Sequence, residues 1–252
     1  VSGLDLCGNG VVIPQGQFWL RQGREPNRFK SSMPLRNIFR GTSSLVARCF
    51  LLRESFETLA ELRQFALAQM PESFLAGKDG AILSKGTVSK VVRILEEERI
   101  VERDKTRVRL LARERLLEQL QSSHRKGDNR AVLGKSPLTP EEIWAKLAGS
   151  QMLYVGTGTA SASYYGLISG LDRQQLYVDS LSQASELLML KPTRLFPTVE
   201  LIEEKSPVPY FNACNDGPKR WASLIQTWLE LSAGDPREQI AAQQLRSNLA
   251  LQ

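Results

Sequence analysis

The spacing of apolar and polar residues divides the chain into a β-type region, a helical region and a region where the two alternate. Near the N-terminus, short apolar stretches separated by Asn9-Gly10 and Pro14-Gln15-Gly16 predict a small β meander, because both sequences are typical of turns. Since its first strand begins at residue 1, we expect further strands upstream. From Thr42 onward apolar residues recur at intervals of three and four, which predicts two amphipathic helices. Their apolar faces consist of Leu45, Val46, Cys49 and Leu52, and of Leu59, Leu62, Phe65 and Ala66.

A third helix is predicted to begin after Ser84, whose side chain can accept a hydrogen bond from the first helical turn. One face of this helix is apolar and consists of Val88, Val91, Val92 and Leu95. The other face carries basic and short hydroxyl side chains, namely Lys85, Thr87, Ser89, Lys90 and Arg93. A helix that reads DNA needs both: an apolar face to dock on its own domain and a polar, basic face to enter the major groove.

The sequence IVERDKTRVRLL follows directly and predicts two strands around a turn at residues 104–106. Val108 and Leu110 alternate with Arg107 and Arg109, so one side of this hairpin is expected to pack while the other faces phosphates. The basic residues of the predicted hairpin are Arg103, Lys105, Arg107 and Arg109.

Three helices followed by a basic hairpin is the order of a winged helix-turn-helix domain, which we predict over residues 41–122. This prediction implies double-stranded DNA as a partner. Two alternatives remain open: a three-helix domain whose charges are only solvated, and a winged helix that contacts protein. The connector between the second and third helices is about 14 residues long, whereas a helix-turn-helix uses about three or four, so the docking angle on DNA also stays open.

A fourth helix is predicted from LARERLLEQLQ. Its apolar residues, which we expect to pack against the domain or to form a homodimer contact, are Leu111, Leu116, Leu117 and Leu120.

The 252-residue chain has a net charge of +6, and the placement of this charge supports a nucleic-acid partner. Residues 1–40 contain six basic and two acidic side chains, and residues 84–115 contain ten and six. The remaining residues are close to neutral. The first patch includes a basic segment with Arg24, Arg28, Lys30, Arg36 and Arg40, which is either an extended arm that contacts nucleic acid or a solvated connector.

The sequence lacks the residues that several classes of function require. His124 is the only histidine, and a Ser/His/Asp triad, a Cys/His pair or a His-based metal centre would depend on it. We therefore predict no catalytic residue, metal site or cofactor, and expect His124 to be a solvated loop residue. The three cysteines, Cys7, Cys49 and Cys214, are scattered, and no apolar run approaches the roughly 20 residues that span a bilayer. We predict a cytoplasmic protein without a membrane partner.

Residues 123–138 have the composition of a linker, and a further domain is predicted over residues 139–252. It begins with a capping box at Thr139-Pro140-Glu141-Glu142. Strands are predicted in QMLYVG, QLYVDSL and TVELIEE, with an amphipathic helix at SQASELLML. Two helices end the chain: KRWASLIQTWLEL, and one opened by a second capping box at residues 235–238.

A small-residue turn in this region is a candidate nucleotide site. Gly156, Thr157 and Gly158 follow a strand and open a helix, so backbone N–H groups could bind a phosphate there. No P-loop or dinucleotide motif is present, and the glycines could instead serve close packing of helix and sheet. The order of strand, small-residue turn, helix and strand resembles the minimal nucleotidyltransferase fold. That resemblance implies a metal-binding carboxylate at Asp179 and another at Glu200, but the expected Asp-x-Asp partner of Asp179 is Tyr177 or Leu181.

One carboxylate does not hold two Mg²⁺ ions against hydration, so we predict a nucleotidyltransferase-like domain that has lost catalysis. A winged helix followed by such a domain and by paired C-terminal helices resembles the antitoxin of the abortive-infection type IV toxin–antitoxin systems. The resemblance covers roughly residues 42–252 and rests on element order and hydrophobic pattern. It implies a winged helix that represses its own promoter and a C-terminal domain that counters a cognate toxin protein.

The sequence therefore predicts an α+β fold, with a short β meander, a winged helix-turn-helix domain and a nucleotidyltransferase-like α/β domain. The predicted function is a bacterial-type DNA-binding transcriptional regulator that acts as an autoregulating, antitoxin-like repressor. Two alternatives are a nucleotidyltransferase enzyme that uses Asp179 and Glu200, and a plasmid or phage accessory protein with a protein-binding winged helix.

Overall fold

The computed structural model describes residues 3–4, 10–12, 19–21, 37–75, 82–124, 129–168 and 173–251. The chain divides into two compact units, residues 1–37 and 38–252. The fold is mixed α+β, with nine α-helices and three β-sheets among the described residues. None of the described helices is both long and apolar enough to cross a membrane.

The first unit contains a three-stranded sheet. Its strands are β1 (Gly3–Leu4), β2 (Gly10–Val12) and β3 (Trp19–Arg21), and both neighbouring pairs are antiparallel. The predicted meander is thereby confirmed. The predicted turn at Pro14-Gln15-Gly16 and the basic segment from Arg24 to Arg36 lie outside the described residues.

The second unit begins with four helices and a small sheet. A 3₁₀ turn at Gly41–Ser43 leads into the first helix. The elements are α1 (Ser44–Leu52), β4 (Ser55–Phe56), α2 (Leu59–Ala68), α3 (Lys85–Glu97), β5 (Val101–Arg103), β6 (Val108–Leu110) and α4 (Arg113–Ser123). The strands form an antiparallel sheet in the order β4-β6-β5. The sequence pattern missed β4 because two residues are too few to show a period; its pairing with β6 and the burial of Phe56 define it.

Most of the predicted helical core is confirmed. Fully buried side chains include Leu45, Val46 and Cys49 on α1 and Leu62 and Ala66 on α2, together with the predicted apolar face of α3. Four predicted core residues are not fully buried. Leu59 and Phe65 on α2 are half-buried, so that α2 buries only Leu62 and Ala66. Leu52 is only half-buried at the end of α1, and Leu111 is 51% exposed because it lies in the bend before α4, where helical spacing does not yet apply.

The rest of the second unit is a seven-stranded mixed sheet with flanking helices, in the strand order β10-β7-β11-β9-β8-β13-β12. The strands are β7 (Ala131–Lys135), β8 (Tyr154–Gly156), β9 (Gln174–Val178), β10 (Lys191–Pro192), β11 (Val199–Glu203), β12 (Cys214–Asp216) and β13 (Lys219–Trp221). The helices are α5 (Pro140–Ala148), α6 (Gly158–Tyr164), α7 (Leu181–Leu187), α8 (Leu224–Ser232) and α9 (Pro236–Leu251). Both predicted capping boxes form.

Two segments differ from their predicted conformation. Residues 131–135 form β7, a strand within the segment whose composition is typical of a linker. Residues 219–221 form β13, although the sequence pattern assigned them to the start of a helix. In both cases hydrogen bonds to a neighbouring strand outweigh the local sequence signal, because β structure depends more on tertiary context than on propensity.

The described part of the connector between α2 and α3, residues 69–75, contacts the loop that follows β11 of the large sheet. A 3₁₀ turn at Glu72–Phe74 places the Phe74 ring 5.8 Å from that of Tyr210, and the Asn212 N–H donates to the Gln69 carbonyl at 2.8 Å. These contacts give a physical reason for a connector longer than that of a typical helix-turn-helix, because its first part is used to dock on this loop.

Candidate functional site

The polar face of α3 contains four of the five residues of this helix that were predicted to contact DNA. Ser84 caps the helix by accepting a hydrogen bond from the Thr87 N–H at 3.0 Å. At about 100° per residue, Lys85, Ser89, Lys90 and Arg93 fall within an arc of about 140°. All four are exposed. Thr87 differs: it is half-buried, and its hydroxyl lies 2.9 Å from that of Ser84, so it belongs to the cap.

The positive charge of α3 is concentrated in its first two turns. Lys85 and Lys90 form no ion pair with any residue that the structure describes. Arg93 lies 3.5 Å from Glu97, and both side chains are more than 60% exposed, so this pair is weak. A ligand that approaches the N-terminal half of the helix therefore meets uncompensated cations.

The β5–β6 hairpin is closed by a turn that Asp104 stabilises. Its Oδ1 accepts hydrogen bonds from the Thr106 hydroxyl (2.7 Å), the Thr106 N–H (2.6 Å) and the Arg107 N–H (2.8 Å). These hydrogen bonds lower the pKa of Asp104, and the bond from the Thr106 hydroxyl has the largest effect. The turn at residues 104–106 and the buried position of Val108 confirm the predicted hairpin.

The four basic residues of the hairpin differ in how far they are paired. Arg109 makes a two-pronged contact with Glu102, its cross-strand neighbour, at 2.8 and 2.6 Å. Arg107 lies 3.7 Å from Asp104. Arg103 and Lys105 are exposed and form no ion pair within the described part of the chain. The hairpin follows the C-terminal end of α3 after a short connection, and β5 packs on α3.

The glycine turn at residues 156–158 joins β8 to α6, and both of its glycines have a structural reason. A Cβ atom at Gly156 would lie 2.6 Å from the Trp221 ring and 2.8 Å from that of Trp144. Gly158 has a φ of +55°, a conformation that favours glycine. The glycines are therefore explained by close packing and backbone conformation without a ligand.

A carboxylate of the chain itself occupies the N-terminus of α6. The Oε2 of Glu230, from α8, accepts hydrogen bonds from the Gly158 N–H at 2.8 Å and from the Thr157 hydroxyl. Its Oε1 accepts from the Gln226 side-chain amide at 2.5 Å. Burial raises the pKa of Glu230, against the opposing effect of these donors. The position that a phosphate would take is thus filled by an internal anion.

Neighbouring side chains of the turn are also engaged with each other. The N–H and the hydroxyl of Thr159 both donate to Gln175 Oε1 at 2.8 Å, and Gln175 Nε2 donates to Glu200 at 2.9 Å. Arg173 pairs with the same Glu200 carboxylate at 3.0 Å. Glu200 therefore has structural partners beside the glycine turn.

Asp179 lies away from the other candidate nucleotide-binding residues. Strands β8 and β9 are antiparallel, so Asp179, whose N–H donates to the Leu153 carbonyl, follows β9 at the end of β8 opposite to Gly158. Glu200 is level with Gln175, four residues earlier on β9, which corresponds to roughly 13 Å along the strand. The structure does not bring Asp179 and Glu200 together. Within its described residues, no group of three His, Cys, Asp or Glu side chains is arranged to hold a metal ion.

Sequence reasoning missed the buried polar residues that connect α1 to this turn. Arg48 is 3% exposed, and its Nη1 donates to Gln226 Oε1 at 2.8 Å; Gln226 in turn binds Glu230. One signal was available: Arg48 is a single arginine within the apolar run LVARCFLL. The sequence gives no sign that Gln226 and Glu230 are buried, because polar residues four positions apart on a helix usually indicate a solvated face.

His124 is not the solvated residue that its sequence context predicts. It is half-buried at the C-terminal end of α4. Burial lowers the pKa of its imidazole to about 4, and the nearby positive charges of Arg48 and Arg40 act in the same direction.

No protein-family model, curated protein or solved structure matches the chain.

Proposed function

We propose that this protein is a DNA-binding transcriptional regulator in which α3 enters the major groove and the β5–β6 hairpin lies on the phosphate backbone. The observation that carries the proposal is the exposed basic face of α3, with the unpaired Lys85 and Lys90, beside a hairpin with the unpaired Arg103 and Lys105. The order α1-β4-α2-α3-β5-β6 and the sheet order β4-β6-β5 support a winged helix.

The residues of the two elements have different roles in this proposal. Ser89 and Lys90 lie in the N-terminal half of α3, the part of a recognition helix that contacts base edges. Lys85 and Arg93 bind flanking phosphates, and Arg103 and Lys105 bind phosphates from the hairpin. Arg109 contributes less because Glu102 already neutralises it.

The proposed regulator acts as an antitoxin-like repressor of its own promoter, with a homodimer and a cognate toxin protein as expected partners. This part follows from the family resemblance described above. The C-terminal sheet supports a role without catalysis, since Glu230 fills the glycine turn and Asp179 is remote from Glu200.

The test is duplex binding measured by fluorescence anisotropy over a salt series. The probes are the DNA upstream of the protein's own gene and an unrelated duplex of equal length. Replacing Arg103 and Lys105 together with Ala should weaken binding to both duplexes about tenfold. It should also reduce the slope of log K against log salt by about 1.8, because each lost phosphate contact removes about 0.9.

The matched control replaces Lys146 and Lys191 with Ala, which removes two exposed cations, one from α5 and one from β10. It should bind as tightly as the unaltered protein. Equal binding by the Arg103/Lys105 variant and this control would exclude the hairpin as a phosphate contact, and absence of salt-dependent binding to either duplex would overturn the proposal.

A further inference from the structure

A polar cavity of about 240 Å³ lies where α1 and the end of α4 face the large sheet. Its floor includes the apolar side chains of Leu120, Val208 and Leu229, and its polar lining includes Arg40, Arg48 and His124. The volume is smaller than the roughly 300 Å³ at which pockets for drug-sized molecules begin, so it suits a small metabolite.

Arg48 is the most unusual residue of this cavity. Its side chain is buried, its Nη1 donates to Gln226 at 2.8 Å and lies 3.5 Å from the Val208 carbonyl, and its Nε has no hydrogen-bond partner. Burial lowers the pKa of the guanidinium to about 10, so it still carries its charge at neutral pH. Glu230, a carboxyl group whose charge acts on Arg48, is separated from it by the Gln226 amide. An N–H donor of a buried cation is therefore left unsatisfied, which is costly.

The cavity is cationic overall. Arg40 adds a second guanidinium, which is held at the rim by its Nε–H bond to the Ser123 carbonyl at 2.6 Å. Among the lining residues that the structure describes, Glu204 is the one carboxylate, and both of its oxygens are engaged. Oε2 accepts from the Asn129 side-chain amide at 3.0 Å, and Oε1 accepts from the Ser206 N–H at 2.8 Å.

We propose that this cavity binds a small anion, whose carboxylate or phosphate oxygens pair with the guanidinium groups of Arg48 and Arg40. Such an anion balances the positive charge that Glu204 alone does not offset in the described lining. It would contact α1 and the end of α4 on one side and the large sheet on the other, and so hold these parts of the unit together. The inference is independent of DNA binding, since it concerns a separate cavity and is tested without nucleic acid.

The experiment observes His124, the single histidine of the chain, by NMR of the histidine-labelled protein. Inorganic phosphate or succinate is titrated in at constant ionic strength, with chloride as the balancing ion. We expect a saturable shift of the imidazole resonances and a pKa for His124 that rises from its low starting value, because the anion reduces the repulsion from Arg40 and Arg48. Saturation by phosphate alone assigns a phosphorylated ligand, and saturation by succinate alone assigns a carboxylate.

Two variants and one control decide whether the cavity is the site. Arg40→Gln removes an exposed rim cation and should weaken the apparent affinity about tenfold. Arg48→Gln should abolish the saturable shift. Because Arg48 is buried, this variant could fail to fold, and Arg40→Gln then tests by itself whether the anion binds in the cavity. Lys146→Gln makes the same charge change on α5 and should leave binding unaltered. No saturable shift with either anion, or equal affinities for Arg40→Gln and Lys146→Gln, would overturn the proposal.

Discussion

Contacts with phosphate groups were predicted for the basic face of α3 and for the glycine turn at the start of α6, and the two sites differ in what surrounds them. At α3 the cap is Ser84, and the exposed side chains of the first turns include Lys85 and Lys90. At α6 the Gly158 N–H and the Thr157 hydroxyl bind the Glu230 carboxylate of the same chain. One helix start is an open cationic surface, and the other is closed by an internal anion.

A helix N-terminus favours an acceptor for its free N–H groups, and at α6 tertiary packing supplies that acceptor from the chain itself. A carboxylate brought in by α8 needs no ordering from solution once the fold has formed. The closed site therefore serves stability, whereas the open one retains its capacity for an external partner.

The largest expected effect comes from opening the closed site. Glu230→Ala would leave the Gly158 N–H, the Thr157 hydroxyl and the Gln226 amide without their acceptor, and Arg48 without a carboxyl group whose charge acts on it. We expect a loss of about 3–5 kcal/mol in the free energy of unfolding, measured by urea denaturation. The exposed Glu186→Ala on α7 should change it by less than about 0.5 kcal/mol. Equal stability of the two variants would refute the structural role of Glu230.

The open site should respond in DNA affinity and not in stability. Replacing Lys85, Lys90 and Arg93 with Ala should weaken duplex binding about a hundredfold. It should lower the salt slope by about 1.8, since two phosphate contacts are lost together with one base contact. Thermal unfolding should be nearly unchanged because all three side chains are exposed. The control replaces Lys146, Lys191 and Lys205, which are exposed cations of the sheet part. If this control loses as much affinity as the α3 variant, duplex binding depends on the net charge of the protein and not on the position of α3.

A third prediction concerns His124, which lies beside the buried polar residues. Its pKa of about 4 in the fold is below its ordinary value of 6.5, so the fold favours the neutral imidazole. The stability that this provides is present above about pH 6.5 and is lost as the pH falls toward 4, by about 2 kcal/mol. Denaturant unfolding between pH 7 and pH 4 should therefore show a shallower decline for His124→Gln. Parallel pH profiles of the two proteins would contradict this.

The smallest effect tests the pairing within the hairpin. Glu102→Gln removes the carboxylate that neutralises Arg109, so the freed guanidinium can reach a phosphate. We expect duplex affinity to rise about threefold, with a steeper salt dependence. The exposed Glu186→Gln on α7 serves as the control for the change in net charge. If Glu102→Gln does not tighten binding beyond this control, Arg109 does not face DNA.

The candidate DNA-binding face was predictable because it depends on local periods. Val88, Val91, Val92 and Leu95 repeat at helical spacing and are buried, so the opposite face of α3 had to be exposed. The Asp104 turn and the alternation of Arg107 with Val108 are equally local. Leu111 shows the limit of this reasoning, since the period was extended one turn too far, into a bend.

The rest depended on partners distant in sequence. Strand β7 was missed because it forms only by pairing with β10 and β11, some 60 residues later for its main partner. The connection from Arg48 to Gln226 joins residues 178 positions apart, and no local pattern in α8 marks its polar residues as buried.

By itself, the sequence determined the helices of residues 44–123, their apolar faces, the basic hairpin and the capping boxes, because each follows from side-chain periodicity or capping within a few residues. Only the tertiary structure decided that Glu230 fills the glycine turn, that Asp179 and Glu200 lie apart, and that Arg48 is buried with an unsatisfied N–H. These features depend on strand register and helix packing, which bring together residues whose separation along the chain carries no local signal.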